Sequence, residues 1–132
     1  MDTVVFLPEY RREPARLLRL LRRAAAADRD AFTRLYQALA PDVDAAVHVT
    51  LGGERADEVA AATFLEAWQS ADLHTAPGTD VAGWIIGIAA RRAGEQDDPR
   101  VRSHPSQHTY SPGETLAGLL QRRDTRRSPF RR

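Results

Sequence analysis

The chain has 132 residues, enough for one compact domain with a single hydrophobic core. Its 19 basic residues are all arginines and 18 carboxylates nearly balance them, so overall charge does not by itself predict nucleic-acid binding. Cysteine is absent, which excludes disulfides, thiolate catalysis and cysteine-ligated zinc. The N-terminus lacks a signal-peptide pattern, and no apolar run approaches the roughly 20 residues that span a bilayer. We therefore expect a cytoplasmic protein that does not enter a membrane.

The first helical pattern follows an N-terminal arm, residues 1–13. Pro14 is suited to the first turn of a helix. The following stretch, "ARLLRLLRRAAAAD", has apolar residues at helical spacing and arginines on the opposite side. It predicts a short amphipathic helix with an apolar face of Leu17, Leu18, Leu20, Leu21 and Ala24.

A longer helix is predicted over "DRDAFTRLYQALAPDVDAAVHVTLGG". The apolar period continues through Pro41, so we expect a bend there rather than a break. Gly52 and Gly53 are predicted to end the helix, because glycine tolerates the left-handed conformation of a helix C-terminus. The predicted apolar positions are Phe32, Leu35, Tyr36, Leu39, Val43, Ala46, Val47 and Leu51.

The third predicted helix, "RADEVAAATFLEAWQSAD", separates polar and apolar residues onto two faces less clearly than the second helix does. Asp57 and Glu58 lie in its first turn, where carboxylates complement the helix dipole. One face is approximated by Val59, Ala62, Thr63, Leu65 or Glu66, and Trp68, with Phe64 to one side. This pattern indicates an apolar face that is used outside the core.

The fourth helix follows the turn-rich loop "LHTAPGT", with Thr79 or Asp80 as its N-cap. A stripe of Val81, Trp84, Ile85, Ile88 and Ala89 predicts that this helix packs in the core. The helix ends in two arginines, in "GWIIGIAARR", and the chain turns acidic at once in "EQDD". The fold class is therefore all-α: a bundle of about four helices over residues 14–96, with flexible termini.

The composition changes from Asp97 onward, where proline, serine, histidine and charged residues replace the apolar period. Within this Pro/Arg-rich tail, residues 97–132, only "GETLAGLLQRRD" at 113–124 can form a helix. Its few leucines bury little surface alone, so we expect the tail to be disordered or to fold on a partner.

Enzymatic chemistry has little support in the sequence. His104 and His108 have the spacing of a helical metal pair, but a proline lies between them in the tail. His48 and His74 are expected to be ordinary surface or boundary residues, and no Ser–His–acid arrangement is evident. We predict no catalytic residues, no metal and no cofactor. A helical enzyme or small-molecule binder stays a third alternative, which would need a polar pocket that no spacing indicates.

The order of "LLRRAAAADRDAFTRLYQALAPDV", "RADEVAAATFLEAWQSA" and "GWIIGIAARRA" resembles region 2 of the extracytoplasmic-function (ECF) sigma factors of bacterial RNA polymerase. The resemblance covers residues 17 to 96. It implies an all-helical domain that docks on the clamp helices of the polymerase β′ subunit, mainly through its third helix. The residues here that match the docking pattern are Asp57, Glu58, Val59, Phe64, Leu65 and Trp68.

The resemblance also implies contact with promoter DNA. In the family, the loop before the fourth helix captures a base flipped out of the −10 element, and that helix contacts the melted strand. The residues at matching places here are Thr79, Asp80, Trp84, Arg91 and Arg92. Arginine and aromatic side chains beside a loop can hold phosphates and stack an unpaired base, although Trp84 is better explained as a core residue and Trp68 suits either role.

The chain departs from the family pattern in several places. Ala61 and Ala62 replace a usual glutamine and acid, and Asp42 and Asp44 replace residues that are often basic or aromatic. The acidic run from Glu95 replaces a second basic pair, so affinity for duplex DNA should be low. The tail is too short for region 4, the domain that reads the −35 element. The chain is therefore expected to be an excised domain or a free-standing region-2-like protein.

Two functions follow from the resemblance. The first is a sigma-factor-like transcription initiation protein that binds core RNA polymerase and single-stranded promoter DNA. The alternative is an interaction module on the same fold that does not recognise promoters, serving as an adaptor or decoy for polymerase, a sigma or an anti-sigma protein. A separate region-4-like protein is a further candidate partner. The arginine-rich end fits a nucleic-acid contact and a solvated tail equally.

Overall fold

Helices form every regular element in the residues that the structure, a computed structural model, describes: 13–102 and 112–127. The helices are α1 (Pro14–Ala25), α2 (Arg29–His48), α3 (Gly53–Ser70), α4 (Val81–Gln96), α5 (Pro99–Arg102) and α6 (Pro112–Arg127), with a 3-10 turn at Ala71–Leu73 after α3. The all-α prediction is confirmed. No helix in the described residues is long and apolar enough to cross a membrane. Residues 1–12 of the predicted arm and the His104/His108 pair lie outside the described residues.

The first two helices begin where the sequence predicts. Pro14 opens α1, and the five predicted apolar residues of that helix are all buried. Asp28 caps α2, because its Oδ1 accepts the backbone N–H of Ala31 at 3.1 Å. This hydrogen bond, aided by Arg23 and partly opposed by desolvation, lowers the pKa of Asp28 below its ordinary value.

As predicted, the second helix continues through Pro41 without a break. The side chain of Pro41 is exposed. The prediction that the two glycines end this helix is wrong. The helix ends at His48, and the N–H of Leu51 bonds to the carbonyl of Val47 at 2.9 Å as the chain returns to the core. Gly52 is instead the N-cap of α3, and Gly53 adopts a left-handed φ of 56° at its start.

Helices α1 to α4 enclose one core. Its largest fully buried side chains include Phe32, Phe64, Leu17, Leu21, Leu35, Leu39 and Ile85. On α3 the residues that face the core are mostly small, such as Ala56, Ala60 and Ala67, so neighbouring helices can approach it closely. The predicted interior stripe of α4 is confirmed for four of its five residues, because Trp84 is only half-buried.

Phe64 is placed differently from the sequence prediction, which set it to one side of α3. Its side chain is 1% exposed and meets Tyr36 edge-on, with ring centroids 4.8 Å apart. Trp68 packs against Phe32 with ring centroids 5.0 Å apart. The period of α3 did not reveal these contacts, because they depend on where α2 lies.

The stretch that the sequence assigned to a helix within a tail, 113–124, lies inside α6. This helix packs mainly against α3 and more lightly against α2. Leu116 is 6% exposed, and Leu119 and Leu120 are partly buried against the same core. The leucines of α6 therefore have an apolar partner within the chain.

The N-cap of α4 offers a test of this architecture. Asp80 Oδ1 accepts the N–H of Gly83 at 3.0 Å, and Gly83 has no Cβ that would collide with that carboxylate. Asp80→Ala should lower the free energy of unfolding by about 1 kcal/mol. Urea denaturation would measure the change. Asp80→Ser, which keeps a capping oxygen, is the control and should lose much less; equal losses would contradict the capping role.

Candidate interaction surfaces on the third and fourth helices

The six residues predicted to dock polymerase all lie on α3 but do not form one open surface. Asp57 is exposed, whereas Glu58, Leu65 and Trp68 are partly buried. Val59 and Phe64 are 6% and 1% exposed and belong to the core. A charged residue at Phe64 would therefore disrupt the fold before it could report on docking.

A cleft of about 390 Å³ separates α6 from α2 and α3. Its bundle side includes two of the predicted docking residues, Asp57 and Phe64. A third, Glu58, binds α6 directly: its Oε1 accepts the backbone N–H of Gly113 at 3.0 Å. Three of the six predicted docking residues therefore either bind α6 or line the cleft beside it.

One stripe of α3 is partly exposed to solvent along its length, although its first residue, Glu58, contacts α6. Glu58, Ala62, Leu65 and Gln69 are spaced at i, i+4, i+7 and i+11, which places them along one side of the helix. All four retain exposure, and Gln69 is fully in the exposed class. Leu65 is the largest apolar side chain of this stripe, so the stripe offers a narrow apolar surface with polar ends.

The two arginines predicted to contact DNA are brought together at the end of α4, but they face a carboxylate of α3. Arg91 Nη2 donates to both oxygens of Glu66, at 3.0 and 2.7 Å, and Arg92 Nε donates to Oε1 at 2.8 Å. Arg91 Nη1 also lies 3.8 Å from Glu95 Oε2. The local charge of the arginine pair is therefore largely neutralised within the protein.

Glu66 is held ionised by this arrangement. Burial raises the pKa of Glu66, but the hydrogen bonds and positive charges of Arg92 and Arg91 outweigh burial, so the pKa lies below its ordinary value of 4.5. This role of Glu66 cannot be recognised in the sequence, because its partners are 25 and 26 positions away and only the packing of α3 on α4 brings them together.

The remaining predicted DNA-binding residues lie at the start of α4 and in the loop before it. Trp84 stacks on His74, with ring centroids 4.0 Å apart and planes 19° apart. Thr79 donates from Oγ1 to the carbonyl of Ala76 at 2.7 Å, and Asp80 caps the helix. Arg22 of α1 holds the loop through the carbonyl of Thr75 at 3.1 Å. His74, expected to be an ordinary residue, thus covers part of the indole face that a base would need.

No cluster of three potential metal ligands exists among the described residues. The cleft beside α6 is lined mainly by apolar side chains, with Asp44 and Asp57 as its charged members.

Comparison with known proteins gives one informative similarity. The chain is 33% identical over 78 residues to ECF RNA polymerase sigma factor BldN from Streptomyces coelicolor, a match that covers 58% of this chain and 30% of that protein. The chain contains a sigma-factor-like region. It spans about a third of the length of the relative that it matches. No family model matches the chain, and no solved structure matches it.

The contacts of Glu66 with Arg91 and Arg92 make the free energy of unfolding depend on pH. Because the pKa of Glu66 is lower in the folded than in the unfolded protein, its stabilisation is complete above pH 4.5 and is lost as the pH falls below that value. Glu66→Gln should lower the free energy of unfolding at pH 7 by about 1 kcal/mol or less, since the arginines are partly exposed.

Denaturation of wild-type and Glu66→Gln protein between neutral and acidic pH would measure this effect. The wild type should lose more stability on acidification, so the two proteins should converge in acid. Glu95→Gln is the control, because Glu95 is more exposed than Glu66 and its carboxylate lies 3.8 Å from Arg91. A constant difference between wild type and Glu66→Gln at all pH values would contradict the ion-pair interpretation.

Proposed function

We propose that the protein is a sigma-factor-like transcription initiation protein that binds core RNA polymerase through a domain equivalent to region 2, residues 14–96. The observation that carries this proposal is the 78-residue similarity to a sigma factor in a chain whose helices form one bundle. The similarity supports a sigma-like role in transcription, which is non-catalytic. The β′ clamp helices of polymerase are the proposed partner.

The docking surface is proposed to centre on α3. Asp57 and Glu58 supply negative charge at the N-terminal end, and Leu65 supplies apolar area further along. Val59, Phe64 and Trp68 act from beneath by fixing the position of α3 on the bundle. A few apolar anchors ringed by polar groups commonly dominate the affinity of such interfaces.

Leu65 provides the sharpest test of this surface. Leu65→Glu should lower capture of core polymerase at least about tenfold in a pull-down with purified protein, because a carboxylate would have to be desolvated in the interface. The bundle should stay folded, since Leu65 is only partly buried.

Val49→Glu is the matched control, because Val49 is 85% exposed just after the end of α2 and does not belong to the predicted docking set. It places the same charge on the surface and should leave capture unchanged. Equal capture by Leu65→Glu and wild type would exclude α3 as the docking surface. Polymerase binding itself would be excluded if neither the wild type nor a variant in which α6 is displaced from α3 captured core polymerase.

A second candidate function is favoured by the arrangement of Glu66. A carboxylate that engages both Arg91 and Arg92 would repel a phosphate backbone at the place where the resemblance implies strand contact. In this alternative the protein is a polymerase, sigma or anti-sigma adaptor on a sigma fold and does not recognise promoters.

Binding to a single-stranded −10-like oligonucleotide, alone and with core polymerase, separates the two functions. If Arg91 and Arg92 contact phosphates, the Arg91→Ala/Arg92→Ala protein should bind more weakly, with a salt slope about one to two units shallower. Glu66→Gln should bind more tightly than wild type. No change in either variant would favour the adaptor function over promoter recognition.

A further inference from the structure

The last described helix, α6, lies beside the end of the proposed docking surface that Asp57 and Glu58 form. The leucines of α6, Leu116, Leu119 and Leu120, are spaced at i, i+3 and i+4 and pack against the core formed with α2 and α3. The opposing side of the cleft carries two carboxylates, Asp44 and Asp57, and otherwise consists of small and aromatic residues: Tyr36, Ala40, Ala60, Ala61 and Phe64. The α2–α3 groove therefore already binds one amphipathic helix, supplied in cis.

The N-terminal turn of α6 is fixed by the same carboxylate that is proposed to meet polymerase. Glu58 Oε1 accepts the N–H of Gly113 at 3.0 Å, and a carboxylate is favourable at the positive end of a helix dipole. A Cβ at position 113 would lie only 3.3 Å from Glu58 Oε2, so glycine permits this close approach. A partner that approached Glu58 from the side of α6 would have to displace the N-terminus of this helix or share the carboxylate with it.

We propose that α6 is an intramolecular cap that competes with polymerase for α3, so that binding requires α6 to leave the α2–α3 groove. This inference rests on the proposed function. Only Leu116 is fully buried among the α6 side chains whose burial is described, and the contacts that hold the cap include its leucines and the charged hydrogen bond from Gly113 to Glu58. The partner that displaces α6 must present similar chemistry: a helix with an apolar stripe and donor groups opposite Asp57 and Glu58.

The first experiment compares polymerase capture by full-length Leu116→Asp and Gly118→Asp proteins. Leu116→Asp puts a charge at the buried contact and should release α6, raising apparent affinity for core polymerase at least about tenfold. Gly118→Asp adds the same charge to the same helix at an exposed position with open space around it, and should leave affinity unchanged. Gly113→Val, which crowds Glu58 without adding charge, is a second releasing variant should Leu116→Asp fail to fold.

A second measurement reports on the cap without polymerase. The chain has no cysteine, so Ala61→Cys introduces a unique thiol at a site that is 6% exposed in the cleft. Its rate of maleimide labelling should rise at least about tenfold when Leu116→Asp or Gly113→Val is added, because labelling requires the open state. The rate should not change with Gly118→Asp.

The two readouts distinguish the possible failures. Faster labelling with stronger capture supports the cap. Unchanged labelling, or faster labelling with unchanged capture, overturns it while leaving polymerase binding as the function. Faster labelling without capture of polymerase by any variant overturns the proposed function. It also overturns the proposal that α6 is a cap that competes with polymerase.

Discussion

The packing of α3 against three neighbours is the constraint on which the rest of the structure depends. One side of this helix is buried in the bundle through small residues and Phe64, a second binds α4 through Glu66, and a third lies under α6. A helix of 18 residues used on so many sides has little surface left for a partner. What it does present is a single stripe in which Leu65 is the main apolar residue.

Two carboxylates of α3, Glu58 and Glu66, could bind a partner but already form contacts within the chain. Glu58 binds the N-terminus of α6, and Glu66 binds both arginines at the end of α4. These contacts are partly exposed, so each stabilises the fold only modestly. Their larger consequence is for recognition, because a partner or a nucleic-acid strand must compete with an existing ion pair or hydrogen bond.

The similarity to a sigma factor supports a role in transcription. The contacts of Glu58 with α6 and of Glu66 with Arg91 engage groups on the surfaces that are proposed to carry this role. If the proposal holds, the protein exchanges these internal contacts for external ones, and its affinity for a partner is reduced by the cost of releasing them.

The sequence by itself determined the helical fold class, the apolar face of α1, the continuation of α2 through Pro41 and the N-cap of α4 as Thr79 or Asp80, of which Asp80 caps the helix. Each of these depends on periodicity or on a contact within one turn, which a sequence displays directly. Two local predictions failed even so: the glycine pair starts α3 instead of ending α2, and Phe64 is in the core. Only the tertiary structure decided that Glu66 pairs with Arg91 and Arg92, that His74 stacks on Trp84, and that α6 packs against α3. The physical reason is distance along the chain, because these partners meet only once separate helices have packed.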